Sequence, residues 1–177
     1  MSAGPVSAGE GGDEGIRSLL DRAAIGDVIL RYAQCLDRRT FEQLRGCFTA
    51  DAQATYSGVD LEPGVDHIIT HVSRLSATLA TTHVMGPSLI ERDGDGADVL
   101  TPAIVYIDDI EAGVETVRTR GLRYQDRFVR VDGGWLIRRR VHTVDWMYSS
   151  PGRPTTMTPA SPPAPGRPPG LGRAARG

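Results

Sequence analysis

The chain has 177 residues and a formal net charge of −2, and all 20 of its basic residues are arginines. This near-neutral balance offers no broad basic surface of the kind that binds nucleic acid, so we expect no nucleic-acid partner. The sequence contains no run of about 20 apolar residues that could span a membrane. Its start also lacks the basic and apolar regions of a signal peptide, and we expect a cytoplasmic protein.

The two ends of the chain differ in composition from its middle. Residues 1–15 carry almost no bulky apolar side chains, and residues 149–177 are mainly Pro, Gly, Ala, Arg and Thr. Such segments cannot bury enough apolar surface to offset the entropy that ordering them costs. We therefore predict two disordered tails and a single folded domain over residues 16–148.

Three amphipathic segments predict helices. In residues 16–37, apolar side chains recur at intervals of three and four and form one stripe. Thr40 and Gln43 have the spacing of a capping box, which predicts that a second helix follows over residues 41–48. A further apolar stripe predicts a third helix over residues 65–79.

The rest of the domain has the alternation and the turns of antiparallel sheet. Residues 52–56 alternate as a strand does. Residues 83–92 and 97–107 are predicted to pair across an Asp-Gly turn, and residues 116–131 and 135–146 across a second one. The order helix, helix, strand, helix, hairpin, hairpin predicts an α+β fold in which the helices pack on one face of a curved sheet.

Two stretches of the chain resemble a known family. DRAAIGDVILRYAQCLDRRTFEQLRGCFTADAQATYSG at residues 21–58 is similar to the opening of SnoaL-like proteins, and DRFVRVDGGWLIRRR at residues 126–140 resembles their closing hairpin. With His83 in TTHVMG, the match covers nearly all of the predicted domain. These proteins belong to the nuclear-transport-factor-2-like (NTF2-like) superfamily. The resemblance implies a cone in which a curved, mostly antiparallel sheet wraps three N-terminal helices around a deep pocket. It also implies a homodimer formed through the outer face of the sheet.

The resemblance implies site residues as well. Dehydratases of this superfamily use an Asp at the end of the first helix and a His on the strand after the third helix, and Asp37 and His83 occupy those places. The bile-acid 7α-dehydratase pattern adds Tyr32, and the scytalone dehydratase pattern adds a strand tyrosine that corresponds to Tyr56. Scytalone dehydratase also has a second pocket histidine. Residues 104–109 of this chain contain none, which counts against scytalone itself as the substrate.

The chemistry of Asp37 and His83 can also be argued from the residues themselves. A carboxylate at the C-terminus of a helix opposes the helix dipole and needs a partner if it points into a core. That partner is either an arginine, namely Arg38, Arg39 or another one, or a histidine that the carboxylate orients. His83 is accordingly either a packed core residue or an acid–base catalyst, because an imidazole exchanges protons near neutral pH.

An Asp–His pair suits the removal of water from a β-hydroxy ketone. His83 would take the proton α to the carbonyl and then protonate the leaving hydroxyl, while Tyr32 or Tyr56 donates to the enolate oxygen. The same groups would serve an isomerisation or an intramolecular aldol cyclisation. Tyr32 is equally consistent with plain core packing.

Other residues are assigned to binding. Tyr56, Tyr124, Phe128 and His142 are predicted to contact the substrate; Tyr124 and Phe128 share one face of a strand, and His142 lies near the end of the last strand.

The histidines of the third helix raise the question of a metal site. His67 and His71 have the four-residue spacing of metal ligands, but no third ligand accompanies them. We interpret them as part of a solvent-exposed helix face that also carries Arg74, and we predict no metal.

The functional hypothesis follows from these residues. No phosphate-binding, dinucleotide-binding or nucleophile-elbow motif is present, so we expect no cofactor. The first hypothesis is a cofactor-independent lyase, isomerase or cyclase of the dehydratase type, acting on a polycyclic ketone such as a polyketide or steroid-like metabolite. The alternatives are a non-catalytic small-molecule-binding or assembly module with the same fold, and a small subunit that supports another enzyme.

Overall fold

A computed structural model describes residues 10–152. The elements are α1 (Glu10–Asp37), a first 3-10 helix (Phe41–Gly46), β1 (Phe48–Tyr56), β2 (Val59–Asp60), α2 (Val65–Val72), a second 3-10 helix (Ser73–Ala77), β3 (Ala80–Met85), β4 (Leu89–Asp93), β5 (Gly96–Glu111), β6 (Val114–Val131) and β7 (Gly134–Pro151). None of these helices is long and apolar enough to cross a membrane.

The strands of this region form one curved, unclosed sheet. Its order is β2-β1-β7-β6-β5-β3, and β4 pairs with β5 beside β3. β1 runs parallel to β7, and the other pairings are antiparallel. α1 packs against β3 and β7, and α2 packs against β1. The predicted α+β class and the mostly antiparallel curved sheet are confirmed.

The hydrophobic core lies between α1 and the sheet. The stripe predicted on α1 is buried, with Ile25 and Leu36 at most 2 % exposed. From the sheet, Phe48, Phe128 and Ile137 are buried against it. A helix with a 3.6-residue repeat and strands with a two-residue repeat each present one apolar face, and the two faces close on each other.

The end of α1 is built differently from the prediction. Arg39 adopts a left-handed backbone with φ of +59°. The N–H of Thr40 donates to the Cys35 carbonyl and the N–H of Arg39 to the Leu36 carbonyl, which are the two bonds of a Schellman ending. The predicted capping box is wrong, because the Thr40 side chain makes no capping hydrogen bond and a 3-10 helix follows. This ending makes Asp37 the last residue of α1.

Two further elements differ from the prediction. The third helix is shorter: α2 ends at Val72 and continues only as a 3-10 helix. The single strand predicted over residues 83–92 is two strands, β3 and β4, separated at Pro87. Proline has no N–H to donate to a ladder, so it interrupts a strand at this place. The turns after β4 and β6 are confirmed, with Gly94 and Gly133 at positive φ.

The described domain reaches beyond its predicted limits. α1 begins at Glu10 instead of residue 16, and β7 continues to Pro151 instead of ending before residue 149. The remainder of the two predicted tails, residues 1–9 and 153–177, lies outside the described residues.

Candidate active site

A cavity of about 470 Å³ opens between the sheet, α1 and the α2 region. Its lining side chains come from every part of the fold: Tyr32, Leu36, Tyr56, Ser57, Val59, His71, Val72, Arg74, Leu75, His83, Val105, Ile107, Arg120, Leu122, Tyr124 and His142. Mostly apolar walls with a few polar groups are typical of a small-molecule site.

Asp37 and His83 form a hydrogen-bonded pair beside this cavity. His83 Nδ1 lies 2.6 Å from Asp37 Oδ1, and the backbone N–H of His83 donates to Oδ2 at 2.9 Å. The two contacts hold both carboxylate oxygens and fix the plane of the carboxylate relative to the ring. With Nδ1–H donating to the carboxylate, Nε2 is the ring nitrogen left for the cavity that His83 lines.

The surroundings of Asp37 keep it ionised. Burial opposes its ionisation, but the hydrogen bonds from the side chain and backbone of His83, together with Thr81, outweigh burial and hold the pKa of Asp37 below its ordinary value. An ionised carboxylate on the far nitrogen fixes the imidazole tautomer and stabilises the imidazolium that forms when Nε2 takes a proton.

A second layer of polar groups orients this carboxylate. Thr81 Oγ1 donates to Asp37 Oδ1 at 3.0 Å, and Arg39 donates to Thr81 Oγ1 at 2.7 Å. Arg39 also donates to Thr78 Oγ1 and to the Leu36 carbonyl. The left-handed turn at Arg39 therefore brings a guanidinium under the pair without a direct ion pair to Asp37.

Aromatic side chains form one wall of the cavity. Register pairs Tyr56 with His142 across β1 and β7, and His142 with Tyr124 across β7 and β6, so the three rings share one face of the sheet. The Tyr32 and Tyr56 hydroxyls lie 3.1 Å apart. The Tyr56 ring stacks on His71 at 4.8 Å between centroids. Flat rings of this kind favour a ligand that itself contains rings.

The aromatic wall rests on a buried ion pair. Arg140 and Asp126 side chains are both 0 % exposed, and Nε and Nη2 of Arg140 donate to the two carboxylate oxygens at 2.7 and 2.6 Å. The Arg140 guanidinium lies 4.0 Å from the Tyr32 ring centroid and 4.4 Å from that of Tyr124. Burial alone would lower the pKa of Arg140, but the charge and hydrogen bonds of Asp126 hold it well above its ordinary value.

Burial shifts the pKa values of the aromatic side chains in the wall. Burial and the neighbouring Tyr32 raise the pKa of the Tyr56 hydroxyl well above its ordinary value, and burial also raises that of Tyr124. Both phenols therefore stay protonated and able to donate. Burial, then the charges of Arg140 and Arg120, lowers the pKa of His142 to about 4, so its ring is neutral at neutral pH.

The family model of the SnoaL-like domain matches residues 17–141. This chain belongs to the SnoaL-like family. An uncharacterized protein of Mycobacterium tuberculosis is 31 % identical to it over 134 residues, which cover 72 % of this chain and 88 % of the relative. The resemblance predicted from residues 21–58 and 126–140 is confirmed.

Solved structures share the fold of this SnoaL-like domain. A proposed scytalone dehydratase of Novosphingobium aromaticivorans has a TM-score of 0.67 at 20 % identity, over 77 % of this chain and 91 % of that one. The hexachlorocyclohexane dehydrochlorinase LinA, type 2, has a TM-score of 0.72 at 17 % identity, over 82 % and 99 %. At these identities the likeness is one of fold.

Most of the predicted site residues of the SnoaL-like domain meet at the cavity. Asp37 pairs with His83, and not with Arg38 or Arg39 as the alternative had it. Tyr32, Tyr56, Tyr124 and His142 line the cavity with His83. Phe128 does not: it is 0 % exposed in the core, so its predicted contact with substrate is replaced by a packing role. Core and cavity share one sheet face, and alternation alone cannot divide them.

Two residues that line the cavity, His71 and Arg120, and one residue beneath it, Arg140, were missed from the sequence. His71 was interpreted as solvent-exposed, but it stacks on Tyr56 and lines the cavity; its spacing of three from the buried Ile68 was the available signal. Arg140 lies in the predicted closing hairpin, where no site role was assigned to it, and it is buried beneath the site. Arg120 carried no signal beyond its two-residue spacing from Leu122.

Metal ligands are a separate question. Within residues 10–152, no three side chains of His, Cys, Asp or Glu are grouped as a metal site would require. His67 is exposed and does not line the cavity that contains His71.

Proposed function

We propose that this SnoaL-like domain is a cofactor-independent lyase, isomerase or cyclase that removes a proton α to the carbonyl of a polycyclic ketone. The observation that carries the proposal is the Asp37–His83 pair, in which Nδ1 is held at 2.6 Å and Nε2 is left for an apolar cavity. A base in this setting can take a proton from carbon because the ionised Asp37 stabilises the imidazolium that results.

The proposed reaction begins with proton transfer to His83. Nε2 takes the α proton, the C–H electron pair becomes the enolate C=C bond, and the carbonyl π pair moves onto oxygen. The Tyr32–Tyr56 hydroxyl pair lies in the cavity wall as a donor to that oxygen. The raised pKa of Tyr56 keeps its proton in place for this role.

Three outcomes of the enolate use the same residues. In dehydration, the enolate pair re-forms the carbonyl, the β C–O bond breaks, and imidazolium protonates the leaving hydroxide to give water and an enone. In isomerisation, the imidazolium returns the proton to another carbon. In cyclisation, the enolate carbon forms a C–C bond to a second carbonyl, whose oxygen receives the proton. None of these steps changes the net oxidation level, so no redox cofactor is required.

The size and walls of the cavity support a ligand with several rings. A volume of about 470 Å³ is within the range of drug-sized ligand pockets. The names of two structural neighbours, a proposed scytalone dehydratase and a hexachlorocyclohexane dehydrochlorinase, both describe eliminations. An elimination that begins with proton abstraction is the kind of reaction we propose here.

Hydrogen–deuterium exchange at carbon tests the proposal without knowledge of the full substrate. Bicyclic to tetracyclic ketones are incubated with the protein in deuterated water, and loss of the α-proton signal is followed by NMR. We expect exchange with wild type and not with His83→Ala. His67→Ala is the matched control, because His67 is exposed and does not line the cavity.

The result decides between an enzyme and a binding module. Exchange that persists in His83→Ala, or that falls equally in His67→Ala, contradicts the role of His83. Ketones that bind without exchanging favour the non-catalytic binding module.

The homodimer is proposed on a separate observation. The outer face of the sheet exposes large apolar side chains, among them Val84, Tyr106 and Trp146, each more than 40 % exposed. Covering such a face is favourable. Light scattering should give twice the chain mass, and a monomer at all concentrations contradicts the dimer.

A further inference from the structure

The charged side chains among the described residues that line the cavity are both arginines, Arg74 and Arg120, and the lining includes no carboxylate. Burial lowers the pKa of two lining histidines, His71 and His142, so their rings add no positive charge at neutral pH. Asp37 lies behind His83, and Asp126 is closed off by Arg140. The described residues that face the cavity therefore provide cations without an anion of their own.

Arg120 faces the same space as the catalytic pair. Register places His83 opposite Val105 on β5, and Val105 opposite Arg120 on β6. Side chains directly opposite one another lie on the same face of a sheet, and all three line the cavity. Two strand spacings separate the backbones of His83 and Arg120 by about 10 Å.

The Arg120 side chain makes no ion pair or hydrogen bond with any residue from 10 to 152, and its Nε is buried without a partner. Arg118, two residues earlier on β6, pairs with Asp109 and Glu111. Burial, then the charge of Arg118, lowers the pKa of Arg120. A half-buried guanidinium in this setting lacks the compensation that buried charges ordinarily have.

We propose that the ligand of this cavity carries a carboxylate, and that Arg120 binds it while the aromatic wall holds its rings. A planar guanidinium matches a carboxylate with two parallel hydrogen bonds, and Nε is one of the donors in that arrangement. In combination with the proposed function, on which this extension rests, the substrate is a ring-containing keto acid. The backbones that carry Arg120 and His83 lie two strand spacings apart and both side chains line the cavity, so one ligand can contact both.

A pair of probes with the same shape and different charge tests this assignment. β-Naphthoate carries the carboxylate, and β-naphthamide replaces it with a neutral amide. By isothermal titration, wild type should bind β-naphthoate about tenfold or more tightly than β-naphthamide, as expected for a charge-assisted hydrogen bond. In Arg120→Met this preference should disappear, and in Arg120→Lys it should return in part.

The controls separate charge at the site from charge in general. Arg123→Met removes an arginine from the same strand, but Arg123 pairs with Asp145 on the surface and does not line the cavity; it should keep the wild-type preference. Circular dichroism and the melting temperature establish that each variant is folded. Equal affinity of wild type for the two probes, or no binding of the carboxylate at millimolar concentration, overturns the proposal. A preference that is lost in Arg74→Met and kept in Arg120→Met overturns the assignment to Arg120.

The two proposals fail separately. Proton exchange reports on His83, and the preference for β-naphthoate reports on Arg120. If the preference depends on Arg120 but no proton exchange occurs, the carboxylate site is supported and the enzymatic function is contradicted. If proton exchange occurs without that preference, the enzymatic function is supported and the carboxylate site is contradicted.

Discussion

Two acid–base pairs stand close together in this fold and have opposite surroundings. Asp126 and Arg140 are both fully buried, joined by two hydrogen bonds and covered by tyrosine rings. Asp37 and His83 are joined just as tightly, but the Asp37 side chain is 25 % exposed and the His83 ring faces a cavity.

The difference lies in what each pair leaves open. The buried pair uses both carboxylate oxygens and two guanidinium nitrogens on each other, so it can hold the wall but cannot exchange a proton with a ligand. In the Asp37–His83 pair, one ring nitrogen of His83 hydrogen-bonds to the carboxylate and the other is left for a ligand. The length of the hydrogen bonds within a pair therefore does not indicate whether it can transfer a proton. A nitrogen that is free to contact the ligand does.

The largest effect on activity is expected from Asp37→Asn. An amide can keep the shape of the site, but it cannot stabilise the imidazolium, so we expect the α-proton exchange rate to fall between about a hundredfold and ten-thousandfold. NMR exchange rates measure this, with urea unfolding as a check on folding. A loss of less than about threefold would mean that His83 acts without its partner.

Asp126→Asn should have its effect on stability. Removing one partner leaves the Arg140 charge buried and uncompensated, which costs about 3–5 kcal/mol of unfolding free energy. Chemical denaturation with two spectroscopic probes measures it. A variant as stable as wild type would contradict the supporting role of this pair.

The wall between the two pairs should make stability depend on pH. The pKa of His142 is about 4 in the folded protein, whereas an unfolded histidine titrates near 6.5. The unfolded chain therefore takes the proton first, and stability is lost as the pH falls from about 6.5 to about 4. This group accounts for about 3 kcal/mol of the loss, which levels off below that range.

His142→Gln isolates this contribution. Its stability should vary less than that of wild type across the same pH interval, as measured by urea unfolding at several pH values. Asp37, whose folded pKa is lowered, adds a further loss only at more acidic pH, when its carboxylate is protonated. Parallel curves for the variant and wild type would contradict the assignment to His142.

The smallest effect is expected from a third pair, Arg123 and Asp145, on the outer surface. It is as short as the others at 2.5 Å, but the Arg123 side chain is 51 % exposed. Water solvates both charges in either state, so Asp145→Asn should leave the unfolding midpoint unchanged within error. A clear shift of the unfolding midpoint would contradict the view that an exposed ion pair contributes less to stability than a buried one.

Much of the site could be predicted because it depends on short stretches of chain. The α1 stripe placed Tyr32 on the inner face, and the position of Asp37 at the helix end could be recognised by family resemblance. Both features depend on short stretches of sequence, where local rules apply. The pairing of Tyr124 with His142 does not, because a register shift between Arg127 and Phe128 separates it from the turn after β6.

Other features required contacts that no local pattern contains. The capping box at Thr40 was mispredicted because both of its N–H donors are used elsewhere: Thr40 N–H donates to the Cys35 carbonyl in the Schellman ending, and Gln43 N–H donates to the Thr40 carbonyl. Phe128 and Tyr124 lie on one face of β6, yet one packs in the core and the other lines the cavity.

By itself, the sequence determined the α+β class and the SnoaL-like resemblance, and that resemblance implied the roles of Asp37 and His83. Periodicity and motif spacing are local properties, and they persist along the chain whatever the rest of the fold does. Only the tertiary structure decided that Arg140 is enclosed with Asp126, that His71 joins the aromatic wall, and that the Arg120 side chain faces the cavity with no partner among residues 10–152. Whether a charge is compensated depends on which distant strands and helices surround it, because burial and pairing arise only when those elements pack together.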